Sequence, residues 1–126
     1  MIDTLNFGKY IYAKLKDLVE DRVYPLVADN NVTMPFIVYQ RSNLTSDITK
    51  DGLYEDNVTM TISIAAETYS QALELAKSAR ELLEVTSAQY ESMDISDAAI
   101  SLATEAFSNN AYVETLQMNF NVTNLE

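Results

Sequence analysis

The residues whose spacing comes closest to a known chemical site lie in one polar stretch near the middle of the chain. They occupy the first, third, fifth, sixth and ninth positions of an EF-hand calcium loop, and they are Asp47, Thr49, Asp51, Gly52 and Glu55. The twelfth position, where the loop needs a bidentate Glu, is Val58, and the flanking sequence has the pattern of strands rather than helices. The stretch therefore predicts a solvated connection that holds no metal.

Residue types that catalysis commonly needs are missing from the chain. It contains no His and no Cys, which excludes Cys–His and Ser–His nucleophilic pairs and imidazole or thiolate zinc sites. Its two glycines could hardly build a Gly-rich phosphate cradle. We therefore expect no enzyme, no catalytic residue and no cofactor. A hydrolase that uses the chain's exposed carboxylates is a weaker alternative. A clustered, buried pair of acids in the structure would favour it.

Length and charge limit the class of protein. With 126 residues, 48% of them hydrophobic, the chain is expected to form a single domain over residues 1–126. Its net charge of −11 repels phosphate backbones, so specific nucleic-acid binding is not expected. No apolar run approaches the length of a membrane span, and no secretory signal precedes the first helix. We expect a soluble protein, intracellular at synthesis, with no membrane contact.

The elements that position any site are organised around the stretch from Asp56 to Val85. Its first part alternates with a period of two, which predicts a strand with one buried face; the inward set is Val58, Met60, Ile62, Ile64 and Ala66. Thr68 and Gln71 then form a capping box at the start of a helix. Apolar residues follow at helical spacing as far as Leu83.

The rest of the chain predicts a second helix and three more strands. The helix is expected to run from Asp3 or Thr4 to about Arg22. The strands are expected at Met34–Ser42, Ile95–Phe107 and Tyr112–Val122, with a long polar connection at Asn43–Glu55, an irregular link at Thr86–Asp94 and a tight turn at Asn109-Asn110. Ala98, Ile100, Leu102 and Ala106 are expected on one side of the third strand. The order αββ-αββ predicts an α+β fold, with a four-stranded antiparallel sheet and both helices packed on one face.

Three features predict contacts with another protein. The run from Phe36 to Tyr39 is apolar on both faces of its strand, so both faces should be covered, by the chain or by a partner. The connection at Asn43–Glu55 is long for a hairpin, and such loops are usually functional or mobile. The chain also has eight tyrosines, which are enriched at interfaces and are also used at core edges.

Several phrases, in this order and spacing, match a known pattern. They are Tyr24-Pro25-Leu26-Val27-Ala28, Pro35-Phe36-Ile37-Val38-Tyr39-Gln40-Arg41, Thr49-Lys50-Asp51-Gly52, Glu67-Thr68-Tyr69 with Ala72, Leu75-Ala76 and Arg80, and Ala111-Tyr112-Val113 with Leu116. From about Tyr10 to Val122 the chain resembles the tail-completion, or tail-terminator, proteins of long-tailed bacteriophages and prophages. Met118 stands where these proteins are expected to carry an aromatic residue.

The resemblance implies an α+β subunit that assembles into a ring, expected to be a hexamer, on the head-proximal end of the tail tube. The ring would end tube polymerisation and join the tail to the head connector. The implied partners are copies of the chain itself, tail-tube proteins and head-connector proteins; the implied location is the host bacterial cytoplasm during assembly and then the virion tail.

The expected interface residues combine the apolar strand with the polar connection. They are Phe36, Ile37, Val38, Tyr39, Thr49, Lys50, Asp51, Gly52 and Tyr54. The alternative function is a small intracellular adaptor that binds a protein partner through the open face of the sheet.

Overall fold

The computed structural model describes residues 2–28, 31–48, 52 and 54–124. Its helices are α1 (Gly8–Leu15) and α2 (Tyr69–Leu83), and short 3-10 turns flank α1 at Thr4–Asn6 and Lys16–Leu18. Its strands are β1 (Val23–Pro25), β2 (Phe36–Ile48), β3 (Tyr54–Ala66), β4 (Ser87–Tyr90), β5 (Met93–Ser108) and β6 (Ala111–Asn124).

The strands form one curled, mixed sheet of six strands in the order β1-β2-β3-β6-β5-β4. Neighbours are antiparallel except β1, which runs parallel to β2. The predicted α+β fold with a four-stranded antiparallel sheet is therefore wrong. The prediction missed β1 and β4, which have only three and four residues, too few for a two-residue alternation to stand out.

The predicted connection at Asn43–Glu55 is also mostly strand. Asn43–Ile48 continues β2 and pairs with Tyr54–Thr59 of β3, after a bulge between Arg41 and Asn43. Polar side chains suit this part of the sheet because most of them are exposed there. Likewise, the predicted irregular link at Thr86–Asp94 contains β4 and the start of β5.

The first helix is shorter than predicted. The α-helical turns of α1 end at Leu15, and Glu20 and Asp21 adopt left-handed φ angles of 51° and 67°, so no helix reaches Arg22. Gly8 begins α1 against the β2 side chain of Tyr39, and a Cβ on Gly8 would lie 2.6 Å from the Tyr39 ring. The missing side chain therefore lets the helix lie close to the sheet.

The core lies between the helices and one face of the sheet. α1 and α2 contact each other, and each packs on strands of the same sheet. The predicted inward set on β3 is confirmed, since each of its members is at most 1% exposed. On β6 the even-numbered positions from Tyr112 onward point the same way, and Leu116, Met118, Phe120 and Val122 are buried. At the start of α2 the Thr68 hydroxyl accepts a hydrogen bond from the Gln71 backbone N–H at 3.1 Å, which is the hydroxyl half of the predicted capping box.

Two bulges on β5 change which side chains face the helices. The register shifts between Ser96 and Ala99 and again between Ile100 and Leu102. Ile100 therefore lies opposite buried Met118, whereas Leu102 lies opposite Gln117 on the other face and is 56% exposed. The prediction that both share one side of the strand is wrong, because each extra residue reverses the alternation that follows. Asn109 and Asn110 turn the chain into β6 with φ angles of 52° and 62°, as predicted.

Candidate assembly interface

Both outer long strands of the sheet are covered over only part of their length. β1 pairs with Ile37–Tyr39, and no other strand among the described residues lies along β2 from Gln40 to Ile48 on that side. At the opposite edge, β4 pairs with β5 only as far as Ser96. From Asp97 to Ser108, β5 has β6 on one side and no described strand on the other. We call these two stretches the open β2 edge and the open β5 edge.

The two open edges lie at opposite ends of the sheet. Each strand is covered near its own start, and β2 and β5 run in opposite directions. One group on the open β5 edge already has a partner, because the Ile100 N–H donates to the Glu84 carboxylate at 3.1 Å. Past Ile100 the edge presents backbone donors and acceptors that another strand could pair with.

The predicted interface residues differ in burial and in the face of the sheet on which they lie. Ile37 is fully buried in the core, and Tyr39 is half-buried beside Gly8. Phe36 and Val38 are half-buried on the face of the sheet that carries no helix, and Tyr54 is 48% exposed at the start of β3. Gly52 is exposed with a φ of +78°. Thr49, Lys50 and Asp51 lie outside the described residues, as does the part of the EF-hand-like pattern that they form.

A cavity of about 540 Å³ lies on the helix-free face of the sheet. Phe36 and Val38 of β2 line it together with Ala65 and Val113, and Val32 and Met34 border it from the segment before β2. The outward side chains of the doubly apolar strand are therefore partly covered by the chain itself. What remains open is a shallow surface of mixed apolar and polar character, with Ser63 and Asn109 also in its lining, that a protein partner could contact.

A second group of side chains surrounds two carboxyls near the Asn109-Asn110 turn. Glu105 of β5 and Glu114 of β6 lie opposite each other, and the Tyr69 hydroxyl donates to Glu105 at 2.9 Å. The Phe107 and Tyr112 rings lie beside them with centroids 4.8 Å apart, and Phe107 is 61% exposed. We call these five residues the acid–aromatic cluster.

The acid–aromatic cluster perturbs the titration of its members. Glu114 is only 9% exposed, and burial, followed by the hydrogen bond and charge of Glu105, raises its pKa to about 7. The hydrogen bond to Glu105 raises the pKa of Tyr69. Among the described residues the ion pairs are Arg22–Glu20 and Arg80–Glu84, so neither carboxyl of the cluster has a cationic partner among those residues.

The sequence patterns did not predict this cluster, although the sequence contains one signal of it. Glu114 occupies an even position of β6, in series with the inward Leu116, Met118 and Phe120. A carboxyl in an inward series is costly to bury and therefore marks a site worth examining. Its proximity to Glu105 depends on the strand register, which the bulges of β5 set.

The cluster is a close acid pair, the feature that a hydrolase would need, but its surroundings do not suit one. The two carboxyls come from directly opposite residues of adjacent strands, and Glu105 raises the pKa of Glu114, whereas glycosidase carboxyls stand about 5 Å or more apart to flank the scissile bond. The adjoining hollow is about 260 Å³, below the roughly 300–1,000 Å³ usual for a small-molecule site. No group of three or more potential metal ligands occurs among the described residues.

None of the helices in the described ranges is long and apolar enough to cross a membrane.

Comparison with known proteins assigns the family. The family model described as "Tail completion protein gp17" matches residues 10–120. The chain belongs to this tail-completion family. The resemblance found in the sequence is thereby confirmed, and the chain has a structural role in phage tail completion, as a component of the virion tail. The family is one of structural tail proteins.

The structural comparison agrees on the fold of the tail-completion protein. A chain from the virion of a native gene transfer agent particle superposes with a TM-score of 0.68 at 13% identity, covering 90% of each chain. At this identity the likeness concerns the fold. A comparison with curated proteins found no significant sequence match.

Proposed function

We propose that the chain forms a closed ring on the head-proximal end of the tail tube, where it ends tube polymerisation and joins the tail to the head connector. The observation that carries the proposal is the pair of open edges. The open β2 edge spans nine residues and the open β5 edge twelve, so one can accommodate the other.

The directions of the two strands fit this pairing. Because β2 and β5 run in opposite directions within the subunit, a neighbour related by rotation about an axis inclined to the strands would present its β5 antiparallel to β2 and shifted along it, which brings the two open edges level with each other. Different surfaces of the two subunits meet, so the contact is head-to-tail, and such contacts close into a ring when the rotation permits. β1 covers the first part of β2, and β4 covers the first part of β5. Neighbouring subunits are therefore shifted along the strands where the two open edges meet.

The charges of the helix-free face suit a wall that faces passing DNA. By register, the described charged residues on this face include Asp47, Glu55, Asp94 and Asp97, and no Lys or Arg is among them. The central rows of the face are uncharged and polar, with Thr59, Ser63, Thr115 and Asn119 among them. A wall without cations would not hold a phosphate backbone as it passes.

We further propose the finer details that the resemblance implies. The ring is a hexamer, its partners are tail-tube and head-connector proteins, and it assembles in the host cytoplasm. It performs no catalysis. Phe36, Val38 and Tyr54 keep side chains available for contacts between proteins, and the predicted role of Thr49–Gly52 at an interface also stays part of this proposal.

A proline on the open β5 edge provides the test. Phe107 is adjacent to Ser108, which flanks the two-residue turn, so Phe107 directs its backbone groups away from β6; with a period of two, so does Ala103. Ala103→Pro removes an outward N–H that the subunit does not use, and Pro is tolerated on edge strands. Ala103→Ser is the matched control that keeps this donor.

We expect the natural chain and Ala103→Ser to sediment as rings at high concentration and to cap purified tail tubes in electron micrographs. Ala103→Pro should remain folded by circular dichroism yet neither self-associate nor cap tubes. A natural chain that stays monomeric at high concentration and leaves tubes uncapped would refute the ring.

One observation favours the adaptor alternative. The cavity beside Phe36 and Val38 would suit a partner bound to the helix-free face of a monomer. In that case Val38→Asp would abolish partner binding and Ala103→Pro would leave it unchanged, the reverse of what the ring requires.

A further inference from the structure

The acid–aromatic cluster serves no evident purpose within one subunit. It keeps a carboxyl buried beside a second one, which is unfavourable unless the pair gains a counter-charge or a proton. It also leaves the Phe107 ring exposed at the surface. Two carboxyls beside aromatic rings form a surface to which a planar cation is complementary.

The position of the cluster shows where such a cation could come from. Glu105 and Phe107 lie on the open β5 edge, and both point to the helix-bearing side of the sheet, as Glu114 does. In the proposed ring, this edge faces the open β2 edge of the next copy. Arg41 lies on that β2 edge, opposite inward-facing Met60, so it also points to the helix-bearing side.

Backbone directions narrow the register between the two edges. The Ile37 N–H donates to the Arg22 carbonyl, and the Tyr39 carbonyl accepts from the Leu26 N–H, so both residues direct their backbone groups away from β3. Arg41 follows Tyr39 by two residues and therefore also directs its backbone groups toward the open side. Phe107 presents its groups outward on β5. If Arg41 pairs with Phe107, the two open edges stay in contact along their length. The paired stretch then ends near Ile100, whose N–H already donates to Glu84.

This register places Arg41 directly opposite Phe107 and diagonally from Glu105 on the same face of the sheet. Diagonal partners on one face are about 7–8 Å apart at the backbone, within reach of a long side chain. Arg41 is exposed and donates one hydrogen bond, to the Leu5 carbonyl at 3.0 Å, so most of its guanidinium donors remain for other acceptors.

We propose that Arg41 of each subunit binds the Glu105–Glu114 carboxyl pair and the Phe107 ring of the neighbouring copy. The proposal rests on the ring proposed above and specifies its contact. Arg41 is the sole Lys or Arg on a strand within the described ranges. The other described basic residues lie on α1, on α2, in the 3-10 turn after α1 or, for Arg22, just before β1, and two of them are in ion pairs. In a chain of net charge −11, this contact brings a cation to the point where two acidic subunits meet.

Charge exchange tests the contact. Arg41→Glu and Glu105→Arg each place like charges at the contact, so each variant alone should associate at least about tenfold more weakly than the natural chain. Combining both substitutions in one chain should restore association, because the opposite charges then face each other in exchanged positions. Lys77→Glu is the matched control for Arg41→Glu, since it makes the same change of net charge on the exposed side of α2.

Mixing the two single variants gives a sharper measurement. In a head-to-tail ring that alternates them, every contact is either the natural pair or the exchanged pair, so the mixture should form rings in analytical ultracentrifugation although neither variant does so alone. The alternation also requires an even number of subunits. Melting curves by circular dichroism check that each monomer is folded.

The outcomes separate this inference from the proposed function. If the natural chain forms rings and Arg41→Glu forms them with unchanged affinity, the ring stands and the contact is wrong. If the mixture and the doubly substituted chain remain monomeric while Lys77→Glu assembles, the contact is also wrong. If the natural chain forms no rings and caps no tubes, the proposed function itself fails.

Discussion

Replacing Glu114 with Gln should stabilise the isolated subunit at alkaline pH and leave it unchanged in acid. Burial and Glu105 raise the pKa of Glu114 from 4.5 to about 7, so the native protein holds a proton that the unfolded chain loses at lower pH. The free energy of unfolding therefore falls as pH rises from about 4.5 to 7 and is flat above that, as far as this group is concerned. Gln is neutral and of similar shape, so it removes this dependence.

The magnitude follows from the size of the shift. At 1.36 kcal/mol per pH unit, the full change corresponds to about 3 kcal/mol. Glu105 is exposed and solvent screens its charge, so we expect a gain of about 1–2 kcal/mol for Glu114→Gln at pH 8. For a domain of this length that gain raises Tm by about 4–8 °C.

The assay is urea denaturation at pH 5 and pH 8, at a concentration where the protein is monomeric. The two proteins should differ little at pH 5 and diverge as pH rises toward 7, above which the difference should stay constant. Glu74→Gln, on the exposed side of α2, is the control and should shift stability by no more than about 0.5 kcal/mol at either pH. A Glu114→Gln variant that is less stable at pH 8, or equally stable at every pH, would refute the argument.

Three further substitutions test single contacts by urea denaturation. Gly8→Ala should cost about 1–3 kcal/mol, because the new methyl group meets the Tyr39 ring; a gain in stability would mean that the ring moves aside freely. Thr4→Val should cost about 1–3 kcal/mol, because the buried Asp56 carboxylate loses the hydroxyl that donates to it, whereas Thr4→Ser should lose less. Thr68→Ala should cost about 1 kcal/mol by removing the acceptor at the start of α2, and an equal loss in Thr68→Ser would contradict this assignment.

Local patterns in the sequence were sufficient for the elements whose signal is contained in a short window. The alternation from Val58 to Ala66, the capping residue Thr68 and the positive-φ turn at Asn109-Asn110 are all present in the structure. Each depends on the chemistry of residues close together in the chain, which the sequence displays directly. The ordered phrases also carried the resemblance to the tail-completion family, now confirmed over residues 10–120.

Tertiary pairing decided what short windows do not contain. Polar Asn43–Ile48 became strand because β3 supplies its hydrogen bonds, and Glu20 and Asp21 ended the first helix although the apolar pattern continued. The bulges of β5 moved Leu102 to the face opposite Ile100, a reversal that a simple alternation cannot foresee.

The candidate site depended on tertiary structure most of all. The types and positions of its residues are visible in the sequence, including the carboxyl at an inward position of β6. That Glu105 meets Glu114, and that each outer strand is left half uncovered, follows from strand order and register. Sequence determined the period of two in β3 and β6 and hence which of their residues share a face. Hydrogen bonding between distant segments decided which strands are neighbours, because one residue of register reverses every side chain beyond it.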